Sequence, residues 1–469
     1  MNWEWIYNKY TKAAVIAVLT LAGAAAGLQT SPPNGTGETM SSQASDLSSM
    51  SGSSVPGGSS SGGSPSSASG ASSSVGASST GSISSTGSSS SGSTSSAAGS
   101  GGTSSASSQG GAPPGFSHPA RMLTAYYASW AAYSGYTPDK IKASGLSVLN
   151  YAFATVGPDN KVAVGDPDID PANFTKLRTL RTTYPNLKIV ISVGGWDDSA
   201  RFSDAALTPA SRTAFADSAV SFLKTYGFDG IDIDWEYPTG GGKAGNTHRS
   251  TDPENFRMLL KALRVRLDAE GAKDGKHYIL SFAGGSGSQY ANGIGLSSVA
   301  QTVDYGLIMT YDLQGPWCSY TDFNAALSIP SGTSPQEKNS VDASVRSWLS
   351  AGFPAGKLVM GVPFYGYAYQ NVSSANNGLW QKFSSGSAVG YDTINSKYLS
   401  SSSFKRFYDS SAQVPWLFGS SVFISYDDAS SIGAKTRYAV SKGLLGVGAW
   451  ELSFDRTSVL LGTARSALG

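Results

Sequence analysis

Residues Asp229 to Pro238 read Asp-Gly-Ile-Asp-Ile-Asp-Trp-Glu-Tyr-Pro. The alternation of acidic and apolar residues has the period of a β-strand, in which alternate side chains share a face. Asp232, Asp234 and Glu236 therefore project one way, about 6.5–7 Å apart along the strand. Ile231, Ile233 and Trp235 project the other way, towards covering helices. Three carboxyl groups on one shielded face, with no Lys or Arg interleaved, are costly to keep ionised together. The crowding holds at least one of them protonated near neutral pH, which is what a general acid requires. The competing chemistry for clustered carboxylates is binding of Mg²⁺ or Ca²⁺. Asp229 has the opposite parity and reads as structural.

A strand of this kind needs a rigid frame. Eight short apolar runs supply candidate strands: Met122–Ala128, Val148–Phe153, Lys188–Val193, Gly230–Trp235, Tyr278–Ala283, Gly306–Thr310, Leu358–Pro363 and Gly446–Glu451. Between several of them the apolar period becomes helical. After Asp252-Pro253-Glu254, with Asp252 suited to an N-cap and Pro253 to the first helical position, Phe256, Leu259, Leu260, Leu263 and Leu267 fall on one face. Ser211–Lys224, Ser340–Ser350 and Ala429–Ser441 have similar patterns. Strands alternating with helices predict an α/β fold, a (β/α)8 TIM barrel, with an open doubly wound sheet as the alternative that the strand count does not separate. In a barrel Glu236, read as the last residue of its strand, lies at the C-terminal mouth, where barrel active sites form. The stretch from about 367 to 421 is too long for a simple loop and carries Trp380, Tyr391, Tyr398, Phe404 and Trp416. It reads as a small α+β insertion between the seventh and eighth strands.

The rest of the 469-residue chain narrows the function classes. Thirty-three basic and 32 acidic residues give a net charge of +1, which points to neither nucleic acid nor an anionic membrane surface as partner. A single cysteine, Cys318, allows no intrachain disulfide, and three histidines without ligand spacing argue against a His/Cys metal site. No cofactor is implied. At the N-terminus Lys9 and Lys12 precede the apolar run Ala13–Ala26, which ends in Ala24-Ala25-Ala26. Residues 1–28 read as a secretory signal peptide, with an uncleaved signal anchor as the alternative. Residues 29–115 are almost wholly Ser, Gly, Ala and Thr, a disordered Ser/Gly-rich linker that lacks the apolar surface to fold. That linker is either a tether to a membrane or wall or a loose tail after cleavage. The expectation is a secreted or cell-surface protein, monomeric, whose catalytic barrel occupies residues 116–469.

The acidic run resembles the DxxDxDxE signature of family 18 glycoside hydrolases, filled here by Asp229, Asp232, Asp234 and Glu236. Further landmarks follow in order. Tyr126-Tyr127 with Trp130 and Tyr151-Ala152-Phe153 resemble the first- and second-strand motifs. Ser192-Val193-Gly194-Gly195-Trp196 resembles the SxGG motif of the third. Met309-Thr310-Tyr311-Asp312, followed by Gln314-Gly315-Pro316-Trp317, resembles the sixth. Gly361 to Gly366 resembles the seventh, and Phe423 to Asp428 with Trp450 resembles the region of the eighth. The resemblance covers about Arg121 to Leu461. One position departs: family members with the insertion often carry Arg after the seventh-strand Pro-Phe-Tyr-Gly, and here it is Tyr367.

The resemblance implies a retaining, substrate-assisted chitinase acting on chitin and chitooligosaccharides. Glu236 would be the acid, Asp234 would orient the substrate acetamido group, Asp232 would tune Asp234, and Tyr311 would bind the acetamido oxygen. Trp450 would floor the cleavage subsite, with Tyr126, Phe153, Trp196, Tyr237, Met309, Asp312, Trp317 and Tyr365 as substrate-binding neighbours. Taken singly, each aromatic could equally be ordinary core packing. Gly194 and Gly195 would allow close backbone packing at the third strand end, and Cys318 reads as packing or an incidental thiol. Two other functions stay open on the same fold: a chitin-binding lectin, in which the acid is usually lost, and an N-acetylhexosaminidase acting on N-glycans or peptidoglycan. The N-terminal reading predicts that N-terminal sequencing of the exported protein finds a chain starting after Ala26; a retained Met1 would show that the segment anchors instead.

Overall fold

Eight parallel strands close on themselves. In chain order the barrel strands and their neighbour are β1 (Met122–Ala128), β2 (Val148–Val156), β3 (Val162–Val164), β4 (Lys188–Gly194), β5 (Gly230–Asp234), β6 (Ile279–Gly285), β7 (Tyr305–Met309) and β8 (Leu358–Pro363). An insertion supplies β9 (Tyr365–Gln370), β10 (Ser385–Gly390), β11 (Lys405–Asp409), β12 (Val414–Gly419) and β13 (Val422–Ser425), and β14 (Gly446–Trp450) completes the barrel. This computed structural model describes residue 116 and residues 119–469 apart from 333. The apolar N-terminal segment and the Ser/Gly tract lie outside the described residues.

The sheet runs β1-β14-β8-β7-β6-β5-β4-β2-β3, and β1 pairs with β2 as well as with β14. That double pairing closes the barrel and excludes the open doubly wound sheet. β3 is an addition that sequence reading missed: three residues paired antiparallel to the far end of β2. All eight expected barrel strands form, most within one or two residues of their expected ends; the largest difference is β2, which runs three residues further. One end matters chemically. β5 stops at Asp234, so Glu236 is not the last strand residue but lies two positions beyond it.

The helices form where the apolar spacing puts them. The helix Asp252–Asp274 buries Phe256, Leu259, Leu260, Leu263 and Leu267 against the barrel, each worth about 1.5–3 kcal/mol when fully buried. It starts at Asp252 rather than after it. Thr251 is the N-cap, and the Asp252 carboxylate accepts from Arg249 N–H (2.7 Å) and Ser203 Oγ (2.8 Å) instead of capping its own helix. The helices Pro209–Tyr226, Val341–Ser350 and Ala429–Ser441 match the other three patterns. Trp235 faces outwards as expected, stacked on Phe202 at 5.5 Å and edge-on to Phe256 at 6.0 Å.

The insertion is a five-stranded antiparallel sheet in the order β10-β9-β13-β12-β11, with short helical turns. It begins at Tyr365 and ends at Ser425, so the stretch that resembled the eighth-strand region, Phe423 to Ser425, belongs to this sheet and the eighth barrel strand is β14. Just after β13 the chain buries an ion pair, Lys435 with Asp427, both almost wholly shielded from solvent. Removing one partner of a buried pair leaves an uncompensated charge. Lys435→Met should therefore lower unfolding stability by about 3–5 kcal/mol, read as a shift in urea midpoint. The double variant Asp427→Asn/Lys435→Met should recover much of that loss.

Candidate active site

The barrel interior sets the first carboxyl. Ser192, Asp232 and Ser281 face one another across β4, β5 and β6. Asp232 is fully buried there. Its Oδ2 accepts from Ser192 Oγ (2.8 Å) and Tyr126 Oη (2.9 Å), and its Oδ1 from Ser281 Oγ (2.7 Å). Burial raises its pKa, and the three hydroxyl donors pull it back without cancelling the effect.

Asp234 stands one step nearer the mouth in a different environment. Nothing donates to its buried Oδ1. Burial first, then the neighbouring Glu236 and Asp232 charges, push its pKa well above the usual carboxylate range.

Glu236 is placed by a loop rather than by strand hydrogen bonds. Its backbone N–H donates to Ser199 Oγ (2.9 Å), whose own proton reaches Gly195 C=O (2.7 Å). Asn246 Nδ2 donates to its carbonyl at 3.3 Å. The Glu236–Tyr237 peptide is cis, as are Ala152–Phe153 and Trp450–Glu451. Burial pushes the Glu236 carboxyl up to about 7; a hydrogen bond with Tyr237 opposes this, and the Asp312 and Asp197 charges add to it. The backbone around it tolerates only glycine at two points. Gly194 and Gly195 have φ of 107° and 78°. A Cβ on Gly194 would strike the Asp234 carbonyl, and one on Gly195 would lie 2.6 Å from the Phe153 ring.

These groups open onto a cleft of about 770 Å³. Its floor is Trp450, stacked on Phe153 at 5.7 Å with 24° between the rings and in contact with Tyr126 at 5.4 Å. Trp130 packs against both Phe153 and Trp450. Two half-exposed indoles stand on its rims, Trp196 at 49% and Trp317 at 64% exposure, where a soluble protein ordinarily keeps such area covered. Met309 and Tyr311 line the side formed by β7, and burial raises the Tyr311 hydroxyl pKa well above its ordinary value, so it remains a donor. Asp312 follows with φ 56°, its N–H held by Asn324 Oδ1 at 2.8 Å. Its Oδ1 accepts from Tyr365 Oη (2.5 Å) and Tyr367 Oη (2.6 Å).

Every residue expected at the site except Asp232 lines this cleft, and Asp232 lies directly behind it. Asp229 is elsewhere, accepting from Arg181 Nη2 (2.8 Å) and Ile189 N–H (2.9 Å), in keeping with its opposite parity. Cys318 donates to Gln314 Oε1 at 2.9 Å and does not line the cleft. Sequence reasoning missed Trp130, Asp197, Asp198, Gly241, Ala283, Ser286 and Tyr367 as lining residues. Trp130 and Tyr367 stand at motif positions, and Asp197 and Asp198 directly follow the third-strand motif. Gly241 and Ser286 carried no signal, because only the loop paths bring them to the cleft.

A shielded acid beside two further carboxyl groups, over a floor of stacked aromatics at the mouth of a (β/α)8 barrel, defines a glycoside hydrolase site. The Glycosyl hydrolases family 18 pattern matches residues 122–455. The chain belongs to that family. It is 39% identical over 399 residues to Chitinase A1 of Niallia circulans, the match covering 72% of this chain and 57% of that protein. It is 33% identical to the class V chitinase of Arabidopsis thaliana, covering 72% of this chain and 88% of the relative. Among solved structures, a family 18 N-acetylglucosaminidase from Paenibacillus barengoltzii is 35% identical with a TM-score of 0.68, covering 74% of this chain and all (100%) of that one. Chitinase ChiA74 from Bacillus thuringiensis is 32% identical with a TM-score of 0.69, covering 73% of this chain and 70% of that one.

The carboxyl electrostatics give a pH prediction. An acid whose pKa is raised to about 7 is protonated below that pH and lost above it, so kcat/KM should fall as pH rises through about 7. Because the Asp312 charge contributes to the raised value, Asp312→Asn should move this basic limb to lower pH, read from kcat/KM against pH.

Proposed function

We propose that this chain hydrolyses β-1,4 bonds between N-acetylglucosamine units of chitin and chitooligosaccharides, with retention, through the substrate's own acetamido group. The observation that carries the reading is the pairing of Glu236, buried and protonated near neutrality, with the buried and unpartnered Oδ1 of Asp234. Glu236 protonates the glycosidic oxygen as the bond to C1 breaks. The acetamido carbonyl oxygen of the substrate attacks C1 and forms an oxazolinium ion. Asp234 accepts the acetamido N–H through the oxygen that lacks a partner, and the negative charge shared by Asp232 and Asp234 balances the developing positive charge. Asp232, held by three hydroxyls, keeps negative charge behind Asp234. Tyr311 donates to the acetamido oxygen. Glu236, now ionised, takes a proton from the water that opens the ring, which returns the β-anomer. A nucleophile already attached to the substrate removes much of the entropic barrier to attack.

The stacked Trp450 floor suits the apolar face of a pyranose ring, and the rim indoles Trp196 and Trp317 extend the same surface to units on either side. Export, by cleavage of the N-terminal segment or by its retention as a tether, would place the enzyme where polymeric chitin is found. The insertion sheet forms one wall through Tyr365 and Tyr367, and a deep groove of this kind favours exo-acting or processive cleavage. Early products of few lengths would support that action, and a random spread would count against it.

The test is hydrolysis of N-acetylglucosamine oligomers by the full chain and by its Glu236→Gln variant, with product anomers followed by NMR. The expected result is β-anomer release by the wild type and a rate at least about 10²-fold lower in the variant. Cellulose oligomers, which lack the acetamido group, should be cleaved far more slowly. Tight binding of the oligomers with no cleavage by the wild type would instead make the chain a lectin.

A further inference from the structure

Tyr311 and Asp312 lie past the end of β7, where sheet pairing no longer holds the backbone. Asp312 adopts a left-handed conformation there, with φ 56°, which a residue other than glycine keeps only when its surroundings hold it. The holding group is the side chain of Asn324, which is almost wholly buried and does not itself line the cleft. Its Oδ1 accepts the Asp312 N–H at 2.8 Å, and its Nδ2 donates to the Tyr365 carbonyl at 3.3 Å. The amide supplies an acceptor and a donor on separate atoms. A carboxylate would only accept, and a flipped amide would set N–H against N–H.

Asn324 is fixed in turn by its main chain. Its N–H donates to Ser425 Oγ at 2.7 Å, at the end of β13, and its carbonyl accepts from Leu313 N–H at 3.0 Å. The residues before it are tied to the insertion as well. Thr321 Oγ1 donates to Gly378 C=O at 2.6 Å, and the Phe323 ring lies 5.7 Å from that of Trp416. Asn324 therefore joins the end of β7 to β9 and β13 at one buried point. The Tyr365 and Tyr367 hydroxyls hold the carboxyl end of Asp312, and Asn324 holds its main-chain end.

We propose that Asn324 is a positioning residue for the reaction: by fixing the Asp312 backbone against the insertion sheet, it holds the Asp312 carboxylate in the place from which it acts on Glu236. This rests on the chitinase reading, because it concerns the step in which Glu236 is the acid. Burial is the main cause of the raised Glu236 pKa, and the Asp312 charge adds to it. A charge acts through distance, so a backbone free to relax from φ 56° would let the carboxylate move and weaken that effect. The other titratable groups around Glu236 are Asp234, Tyr237, Tyr311 and Asp197, the last paired with Lys243 at 2.9 Å.

The test measures kcat/KM against pH on the N-acetylglucosamine tetramer for the full chain, Asn324→Ala, Asp312→Asn and the double variant. Asn324→Ala is expected to lower kcat/KM about tenfold, within the range for residues coupled in one hydrogen-bond network. It should also move the basic limb to lower pH, the direction expected of Asp312→Asn. In the Asp312→Asn background the same substitution should cost less than about threefold and shift the limb no further, because the charge it positions is already gone. Losses that multiply in the double variant, or a limb that stays at the wild-type pH in Asn324→Ala, overturn the inference alone; Asn324 would then serve only the stability of the wall. If Asn324→Ala does not fold, Ser425→Ala decides, since it leaves the amide in place and removes only the partner of the Asn324 N–H. The limb should again move to lower pH, and an unchanged limb overturns the inference. No cleavage of the tetramer by the wild type overturns the chitinase reading and this inference with it.

Discussion

Three carboxyl groups on one face of one strand, inside a closed barrel, form the constraint on which the rest of this structure depends. In water they would ionise independently. Here burial makes charge expensive, and the barrel settles the cost differently at each level. Asp232 receives three hydroxyl donors and can carry charge. Asp234 keeps a bare oxygen and is pushed far up. Glu236, at the mouth, comes to rest near neutrality. The differences follow from what surrounds each carboxyl. The deeper levels are lined by Ser192, Ser281 and Tyr126 on adjacent strands, while the mouth is built from loops that leave a carboxyl between protein and cleft.

Positioning the acid costs local regularity. β5 ends two residues before Glu236, and the backbone there is held by Ser199 and Asn246, packed closely against the glycines at the end of β4, rather than by sheet pairing. Bare polar atoms and glycine-only conformations are features that a core built for stability alone would avoid. Elsewhere the barrel is conventional: apolar residues on both faces of the strands, helices burying one stripe each, and a single contiguous core.

The cleft has two dissimilar walls. The barrel strands contribute the floor and the acids. The insertion sheet contributes Tyr365 and Tyr367 from β9, which reach across to Asp312 at the end of β7. A phenol stands at the position where the family often has arginine, and the structure shows what it does instead: it donates a neutral hydrogen bond to the carboxylate that also raises the Glu236 pKa. The insertion therefore contributes two neutral donors, and no charge of its own, to the wall around Asp312.

The sequence alone determined the chemistry-bearing run and nearly all of the frame. Period-2 alternation placed Asp232, Asp234 and Glu236 on one side, period-3.6 patterning placed the helices, and motif order tied the strands to a family. These are local patterns, and local geometry reads them out directly. Tertiary structure decided three things that no local pattern holds. Closure depended on β1 pairing with both β2 and β14, partners that lie far apart in the chain. The end of β5 was set where Glu236 N–H turns to Ser199 Oγ instead of a neighbouring strand, so Glu236 left the strand earlier than its alternation implied. The three hydroxyl partners of Asp232 came from residues 40 or more positions away, because hydrogen bonds and burial act through space and not along the chain.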